Sequence, residues 1–367
     1  MGTERNMGQN SLQSKRHNRG LVLRQLLTGT CSTRIELAKM TGLSKMTVTN
    51  IISDFISQGL VEECEEELTE VCGRNPIRLQ ISSGAPRVAG LLVLRDRISA
   101  VLCTLTLEVL KTEEVSFLNL SEEQLPVYTC EVLDRLLEGE ENILGIGVAL
   151  GVSADIQSFL EERYRLPVAV NEEGTSAALA EKLFGAGQEA EDFIYVGLGD
   201  HISSGMVIGG TAYRSSRGIG PQLGHVSIDR KGPPCSCGGR GCLEIYIGTR
   251  VVLGKLWRSA GRKMRFAQFC RLSGVAEVEE IMEELVANLA VALISAVHLF
   301  RPELVILGQD GMDWDERYIL MLEEAINRDG GEPVLVRRAG FGRNAQLVGA
   351  AANVVSAVCQ GELPAST

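Results

Sequence analysis

The sequence predicts an α/β protein in which a small N-terminal winged helix-turn-helix precedes a larger body. Three observations predict it. The chain has 367 residues, more than one hydrophobic core ordinarily organises, so two or three folding units are expected. It carries 40 glycines but only 10 prolines, the balance of a chain with many tight strand–helix turns. Its N-terminal segment reads as three helices up to residue 58, followed by a pair of strands.

Composition narrows the function classes. Hydrophobic residues make up 45% and charged residues 23%, which is globular rather than disordered composition. The first residues are polar and basic, so no secretory signal is expected. Apolar runs such as Leu285 to Phe300 contain Asn288, Ser295 and His298 and are expected to fall short of a membrane span. Ten cysteines without an export signal point to reduced thiols or metal ligands rather than disulfides, and to a cytoplasmic protein. The net charge of −11 is uneven: residues 1–60 hold eight Lys/Arg and three Asp/Glu, a balance of +5, leaving −16 for the rest. A locally basic N-terminus on an acidic body is compatible with nucleic-acid contact by that segment alone.

Within the segment, Arg19 to Thr28 reads as a helix with Leu21, Val22, Leu26 and Leu27 as apolar positions. A second helix spans Arg34 to Met40, with Thr33 as N-cap and Glu36 as capping-box partner. Thr41-Gly42-Leu43 is a turn whose glycine suits a left-handed backbone. Ser44 then caps a third helix, Lys45 to Gln58, in which Val48, Ile51, Ile52, Phe55 and Ile56 form one apolar stripe. Its opposite face shows Met46, Thr47, Asn50, Ser53 and Ser57, short and uncharged after Lys45, able to approach base edges closely. Two helices joined by a glycine turn, the second with a polar outer face, make a helix-turn-helix, although a generic helical hairpin shows the same pattern.

Gly59-Leu60-Val61 ends the third helix and starts a strand, and Ile77, Leu79 and Ile81 alternate as a second. The loop between them ends Gly73-Arg74-Asn75-Pro76, so the hairpin reads as a wing from which Arg74 could reach the minor groove or the phosphate backbone. Glu62, Glu63, Glu65, Glu66, Glu67 and Glu70 make this wing acidic. They would repel phosphate and are expected to face away from it.

Further on, His225, Cys235, Cys237 and Cys242 supply three thiols and one imidazole. That is a closed tetrahedral Zn²⁺ set with no open position, hence a structural metal; reduced cysteines without metal are the alternative. Cys31, Cys64, Cys72, Cys103, Cys130, Cys270 and Cys359 show no metal-like spacing and read as ordinary thiols. The apolar residues from Glu279 to Phe300 read as a core helix stripe.

The metal stretch stands as Pro221-Gln222-Leu223-Gly224-His225 and Cys235 through Glu244. It resembles the ROK family (repressors, open reading frames, kinases), whose pattern is Gly-Glu-x-Gly-His followed by Cys-x-Cys-Gly-x-x-Gly-Cys-x-Glu. Ile35-Glu36-Leu37-Ala38, Thr41-Gly42-Leu43-Ser44 and Gly73-Arg74-Asn75-Pro76 resemble the winged helix of that family's repressors, of the xylose-repressor type. The likeness continues through Ala177 to Gly185, Arg301-Pro302-Glu303 with Val305-Ile306-Leu307-Gly308, and Gly349-Ala350-Ala351. It implies a two-lobed sugar-kinase fold, actin-like and ribonuclease-H-like, with the zinc loop positioning sugar-contacting residues. The expected domains are a winged helix over 1–82, a first lobe over 86–190 completed by 345–360, and a second lobe with the zinc loop over 191–344.

A kinase of this family needs an Asp-x-Gly-Gly-Thr phosphate loop. The corresponding stretch, Gly90-Leu91-Leu92-Val93-Leu94-Arg95-Asp96, has leucine in place of the aspartate. The second phosphate loop reads Gly197-Leu198-Gly199-Asp200-His201-Ile202-Ser203-Ser204-Gly205. There Asp200 repels phosphate, and His201 and Ser203 add bulk where backbone amides must approach. The family's Asn-Asp-x-Asn becomes Glu172-Glu173-Gly174-Thr175, with Glu173 in place of the catalytic aspartate, and Gln222 replaces a sugar-binding glutamate. His225 and Glu244 match. Between Gly145-Ile146-Gly147-Val148 and Asp155-Ile156-Gln157 most of a sugar-contacting loop is missing. Glu172, Glu173, Gln222, His225 and Glu244 are the candidate ligand residues; solvated carboxylates or anchors for the zinc loop are the alternative.

The resemblance therefore implies a non-enzymatic transcriptional regulator, a repressor of carbohydrate-related genes acting as a dimer or tetramer. Ser44, Lys45, Thr47 and Asn50 would lie in the major groove of operator DNA, with Arg74 on the wing. A small carbohydrate would bias the angle between the lobes and reset the spacing of the DNA-reading helices. A regulator that has lost its sugar response, and a sugar kinase with an accessory domain, are the competing readings.

Overall fold

A computed structural model describes residues 4–64, 77–118, 121, 123–152, 154–216, 218–261, 263–272, 274–328 and 330–364, with the side chains of 4–12 and 259–260 outside the description. Contacts divide the chain into two compact units, one of Met1–Val148, Val152–Val170 and Ala350–Thr367, the other of Ala149–Gly151 and Asn171–Gly349.

The first unit begins with α1 (Glu4–Leu27), α2 (Arg34–Thr41) and α3 (Lys45–Ser57), followed by β1 (Val61–Cys64) and β2 (Arg78–Ile81). Local rules set the helix ends. Thr33 accepts from Glu36 N, and the Glu36 carboxylate accepts from Ser32 N at 2.9 Å and Thr33 N at 3.0 Å, a complete capping box. Gly42 ends α2 in the left-handed conformation, φ +68°. Ser44 caps α3 by accepting from Thr47 N at 3.1 Å. Val48, Ile51, Ile52 and Phe55 are buried as the stripe requires, but Ile56 is 37% exposed. Eight residues beyond Val48 it has turned about 80° away, to the edge of the stripe. Arg19 of α1 fastens α3 by donating to Asp54 at 2.9 Å and Gln58 at 2.8 Å while its guanidinium lies over the Phe55 ring. β1 and β2 pair antiparallel, Val61 opposite Ile81, and Leu79 N reaches back to Ser32 O at 2.7 Å, so the hairpin is stitched to the start of α2. Glu63 accepts from Arg34 at 2.6 Å and Glu62 from Gln80 at 2.6 Å. Two of the wing's acids are thus held by groups of the module itself. The remaining ones, Glu65, Glu66, Glu67 and Glu70, lie with Arg74 outside the described residues.

After the hairpin come β3 (Arg87–Val93), β4 (Arg97–Cys103), β5 (Val109–Ser116), α4 (Leu125–Leu137), β6 (Ile143–Leu150), α5 (Gln157–Tyr164) and β7 (Val168–Glu172). Their sheet has the order β5-β4-β3-β6-β7. The second unit holds α6 (Glu173–Phe184), β8 (Phe193–Leu198), β9 (Ser203–Ile208), β10 (Thr211–Ala212), α7 (Glu244–Ile247), α8 (Thr249–Ala260), α9 (Phe266–Cys270), α10 (Ala276–Phe300), β11 (Leu304–Gln309), α11 (Glu316–Ile326) and β12 (Leu335–Arg338). Its sheet runs β10-β9-β8-β11-β12, with β8 and β9 antiparallel and β11 parallel to both β8 and β12. Both sheets follow one scheme, third-second-first-fourth-fifth strand, the duplicated topology expected of a ribonuclease-H-like body.

Among the described residues α10 is the one helix long and apolar enough, by length and composition, to cross a membrane; the sequence expectation set that stretch short of a span. Its Met282, Leu285, Val286, Leu289 and Leu293 are buried in one cluster with Phe269, Trp314 and Leu322, so its apolar face belongs to the core of the second unit. The last helix, α12 (Ala345–Cys359), packs in the first unit from Ala350 onward. A Cβ at Gly147 of β6 would stand 1.7 Å from Ala350 O, so only glycine allows that approach.

Candidate functional site

The outer face of α3 presents its predicted residues unequally. Ser44, Lys45 and Asn50 are exposed and Thr47 is half-buried. Ser44 Oγ and Thr47 Oγ1 lie 2.9 Å apart and share a hydrogen bond. Thr49 Oγ1 donates to Lys45 O at 2.8 Å. The hydroxyls therefore serve the helix end, and the ammonium of Lys45 and carboxamide of Asn50 project from a capped N-terminus whose amides favour phosphate.

The metal-like residues converge. One ligand atom from each of His225, Cys235, Cys237 and Cys242 lies within 4.8 Å of all the others. Cys237 Sγ and Cys242 Sγ are 3.6 Å apart, and Cys235 Sγ is 3.7 Å from His225 Nδ1. Zinc–sulfur bonds of about 2.3 Å at tetrahedral angles place sulfurs about 3.8 Å apart, so the four donors fit such an ion. The loop that carries them closes on itself: Cys235 N donates to Gly239 O at 2.9 Å, Ile228 N to Gly241 O at 2.8 Å, and Leu243 N to Val226 O at 2.9 Å. Gly241, at φ +65°, lies so close to Asp229 O that a Cβ would stand 1.7 Å from it. Hydrogen bonding from the Cys237 backbone holds the Cys235 thiol down to about 7, whereas burial pushes Cys242 up to about 12. A cation would complete deprotonation of the set.

The carboxylates fall into two groups. Glu172, half-buried, accepts from Gly220 N at 2.9 Å and from the Gln222 side chain; burial outweighs these bonds and raises its pKa. Glu173 opens α6 beside it, half-buried. Glu244 opens α7 and accepts from Ile202 N at 3.0 Å, with His201 Nδ1 at 3.4 Å from its other oxygen. Burial pushes the Glu244 carboxyl up, but the His201 and Ile202 hydrogen bonds prevail and its pKa lies below the ordinary value. Glu172 is thus brought to Gln222, while Glu244 is tied to the turn before β9.

Neither stretch matched to a phosphate loop is an open cradle. Gly90 to Asp96 forms a tight hairpin in which Leu94 N donates to Arg97 O at 2.9 Å and Leu91, Leu92 and Val93 are buried. In the turn between β8 and β9, the Gln309 carboxamide covers Gly199, where a Cβ would meet Gln309 Oε1 at 2.8 Å. Gln309 Nε2 donates to Gln346 Oε1, and Gln346 Nε2 to Ser203 Oγ at 2.9 Å. Gln309 itself sits at φ +54°, ψ −119°, a region costly for any side chain. Asp200 is paired with Arg250 at 2.5 Å. Sequence reasoning missed Gln309 and Gln346. Only a glutamine directly after Gly308, at a strand end, could have flagged them.

The ROK family model matches residues 138–356 of the chain. The xylose repressor of Bacillus subtilis (strain 168) is 26% identical over 316 residues, covering 80% of this chain and 82% of the repressor. The crystal structure of a ROK family transcriptional regulator, a homologue of the E. coli MLC protein, superposes with a TM-score of 0.80 at 21% identity, covering 95% of this chain and 98% of that one. The ROK hexokinase from Thermus thermophilus gives 0.62 at 29% identity, covering 73% and 97%.

Proposed function

The chain belongs to the ROK family, and on that premise we propose that it is a DNA-binding transcriptional regulator, a repressor of carbohydrate-related genes. One observation carries the reading: a capped helix, α3, that buries its apolar stripe inside a helix–turn–helix–hairpin module and turns Lys45 and Asn50 outward, with Thr47 half-buried beside the Ser44 cap. Likeness to a protein named xylose repressor supports the carbohydrate link. The winged-helix border at 82/86 belongs to this proposal, as do a cytoplasmic location and a homodimer or homotetramer that meets two half-sites; the expected lobe border at 190/191 and return at 345 give way to Val170/Asn171 and Ala350, because α6 packs on β8 and β9. Arg74 on the wing would add a minor-groove or backbone contact.

The body is read as catalytically silent. The stretch Gly90 to Asp96 has leucine where a metal–nucleotide complex needs its aspartate, and the Gln309 carboxamide fills the glycine turn that phosphate would need. His225, Cys235, Cys237 and Cys242 would hold Zn²⁺ as a structural ion, fixing Gln222 and Glu244 at either end of the loop. With Glu172, Glu173 and His225 these residues could accept and donate hydrogen bonds to sugar hydroxyls.

A regulator that has lost its sugar response is favoured by a specific observation, that only six residues separate the end of β6 at Leu150 from the start of α5 at Gln157. A thermal-shift panel of sugars and phosphosugars separates the two, because a ligand of the native state raises Tm. The DNA reading is tested on duplexes selected from a random library. Asn50→Ala should relax sequence preference; Lys45→Ala should weaken specific and random DNA alike and flatten the salt slope by about one. Equal losses on both DNAs for both variants would refute the assignment of α3.

A further inference from the structure

The outer face of α3 carries one large apolar side chain, Met46, which is 75% exposed. It stands one helical turn before Asn50 and so shares its face. The helix already has its buried stripe in Val48, Ile51, Ile52 and Phe55, and Met46 adds nothing to it. Its polar neighbours are occupied: Ser44 and Thr47 hydrogen-bond each other, and Thr49 donates to the Lys45 carbonyl. What the first turns of α3 offer outward is therefore an ammonium, a thioether and a carboxamide. Ile35 and Met40 are also exposed but lie on α2, off the face that carries Asn50.

The major groove presents one apolar group, the C5-methyl of thymine, among donors and acceptors that suit Lys and Asn. A carboxamide matches the N6/N7 edge of adenine. Methionine, unbranched and polarizable, fills an irregular apolar gap better than a branched side chain would. We propose that Met46 is a specificity-determining residue, packing on a thymine methyl close to the adenine read by Asn50, so that each half-site contains an obligatory thymine. The proposal rests on the reading of α3 as the DNA-contacting helix.

The test uses the full-length protein and duplexes selected from a random library, resynthesised with deoxyuridine at each thymine in turn, which removes the methyl and nothing else. At one thymine per half-site the wild type should lose about fourfold in affinity, the worth of one buried methyl or methylene. Met46→Ala should bind the thymine and uracil duplexes equally, and Met46→Leu should keep most of the difference. A wild type indifferent to every substitution, or a Met46→Ala variant with the same loss, overturns the proposal while leaving DNA binding intact. Failure of the wild type to bind any duplex at low salt overturns the reading of α3 itself, and this proposal with it.

Discussion

Replacing Cys242 by serine is the sharpest perturbation of the metal site. Cys242 Sγ is buried and 3.6 Å from Cys237 Sγ, in a set of four donors already packed at ligand spacing. Structural zinc binding is worth roughly 10–16 kcal/mol at neutral pH, so one donor in four carries about 3 kcal/mol, or some two orders of magnitude in affinity. Serine offers a poorly ionised oxygen in its place, and the loop closed by the Leu243–Val226 and Ile228–Gly241 hydrogen bonds loses its central tie. Metal content after purification, followed by competition with a chromogenic chelator, reads the effect directly. The wild type should hold one zinc per chain and surrender it about a hundredfold less readily than Cys242→Ser, whereas Cys270→Ser, outside the cluster, should behave as wild type. Zinc absent from the wild type, or retained equally by Cys242→Ser, refutes the reasoning.

Glu172 has its pKa raised by burial, so its contribution to stability is full below the ordinary glutamate value and is lost as pH rises through the folded one. Glu172→Gln should therefore melt above wild type at pH 7, with the difference gone near pH 4; equal melting across that range contradicts the assignment. Glu36 is shifted the other way, lowered first by the Ser32 backbone hydrogen bond, so its stabilisation is present at neutral pH and lost as pH falls through its folded value. Glu36→Gln should remove that acid-side loss from the melting profile of the N-terminal module. Thr33→Ala removes the other half of the box and should cost about 1 kcal/mol by denaturant titration. At Gln309, φ +54° penalises any Cβ, so Gln309→Gly should be more stable than Gln309→Ala by about 1–2 kcal/mol, the reverse of the usual order.

Legibility in the sequence followed range along the chain. The Thr33–Glu36 box, the Gly42 stop and the Ser44 cap act between residues three or four apart, and each stands where the residue types place it. The four metal-like residues fall within one loop, so spacing alone brought them together. Weak local signals misled at edges. The sequence pattern puts Ile56 in a stripe and Ile77 in a strand, yet both are partly exposed, because α3 has rotated past its stripe and β2 begins at Arg78. The polar residues before Arg19 carry no stripe, so the reach of α1 back to Glu4 was not visible. Side chains far apart in sequence were invisible altogether. Gln309, Gln346 and Ser203 meet only because β11 and β9 flank β8 in one sheet and the start of α12 reaches their ends, and Glu172 meets Gln222 only through the fold of the second unit. No periodicity encodes such pairs.

The most direct measurement is equilibrium binding of the full-length protein to a duplex selected from a random library, titrated over salt and against scrambled competitor. The account predicts tight, salt-dependent binding at least a thousandfold above that for random DNA, weakened by Asn50→Ala chiefly on the selected sequence. A chain that shows no preference for any duplex at low salt, or that turns over ATP with a hexose, contradicts it.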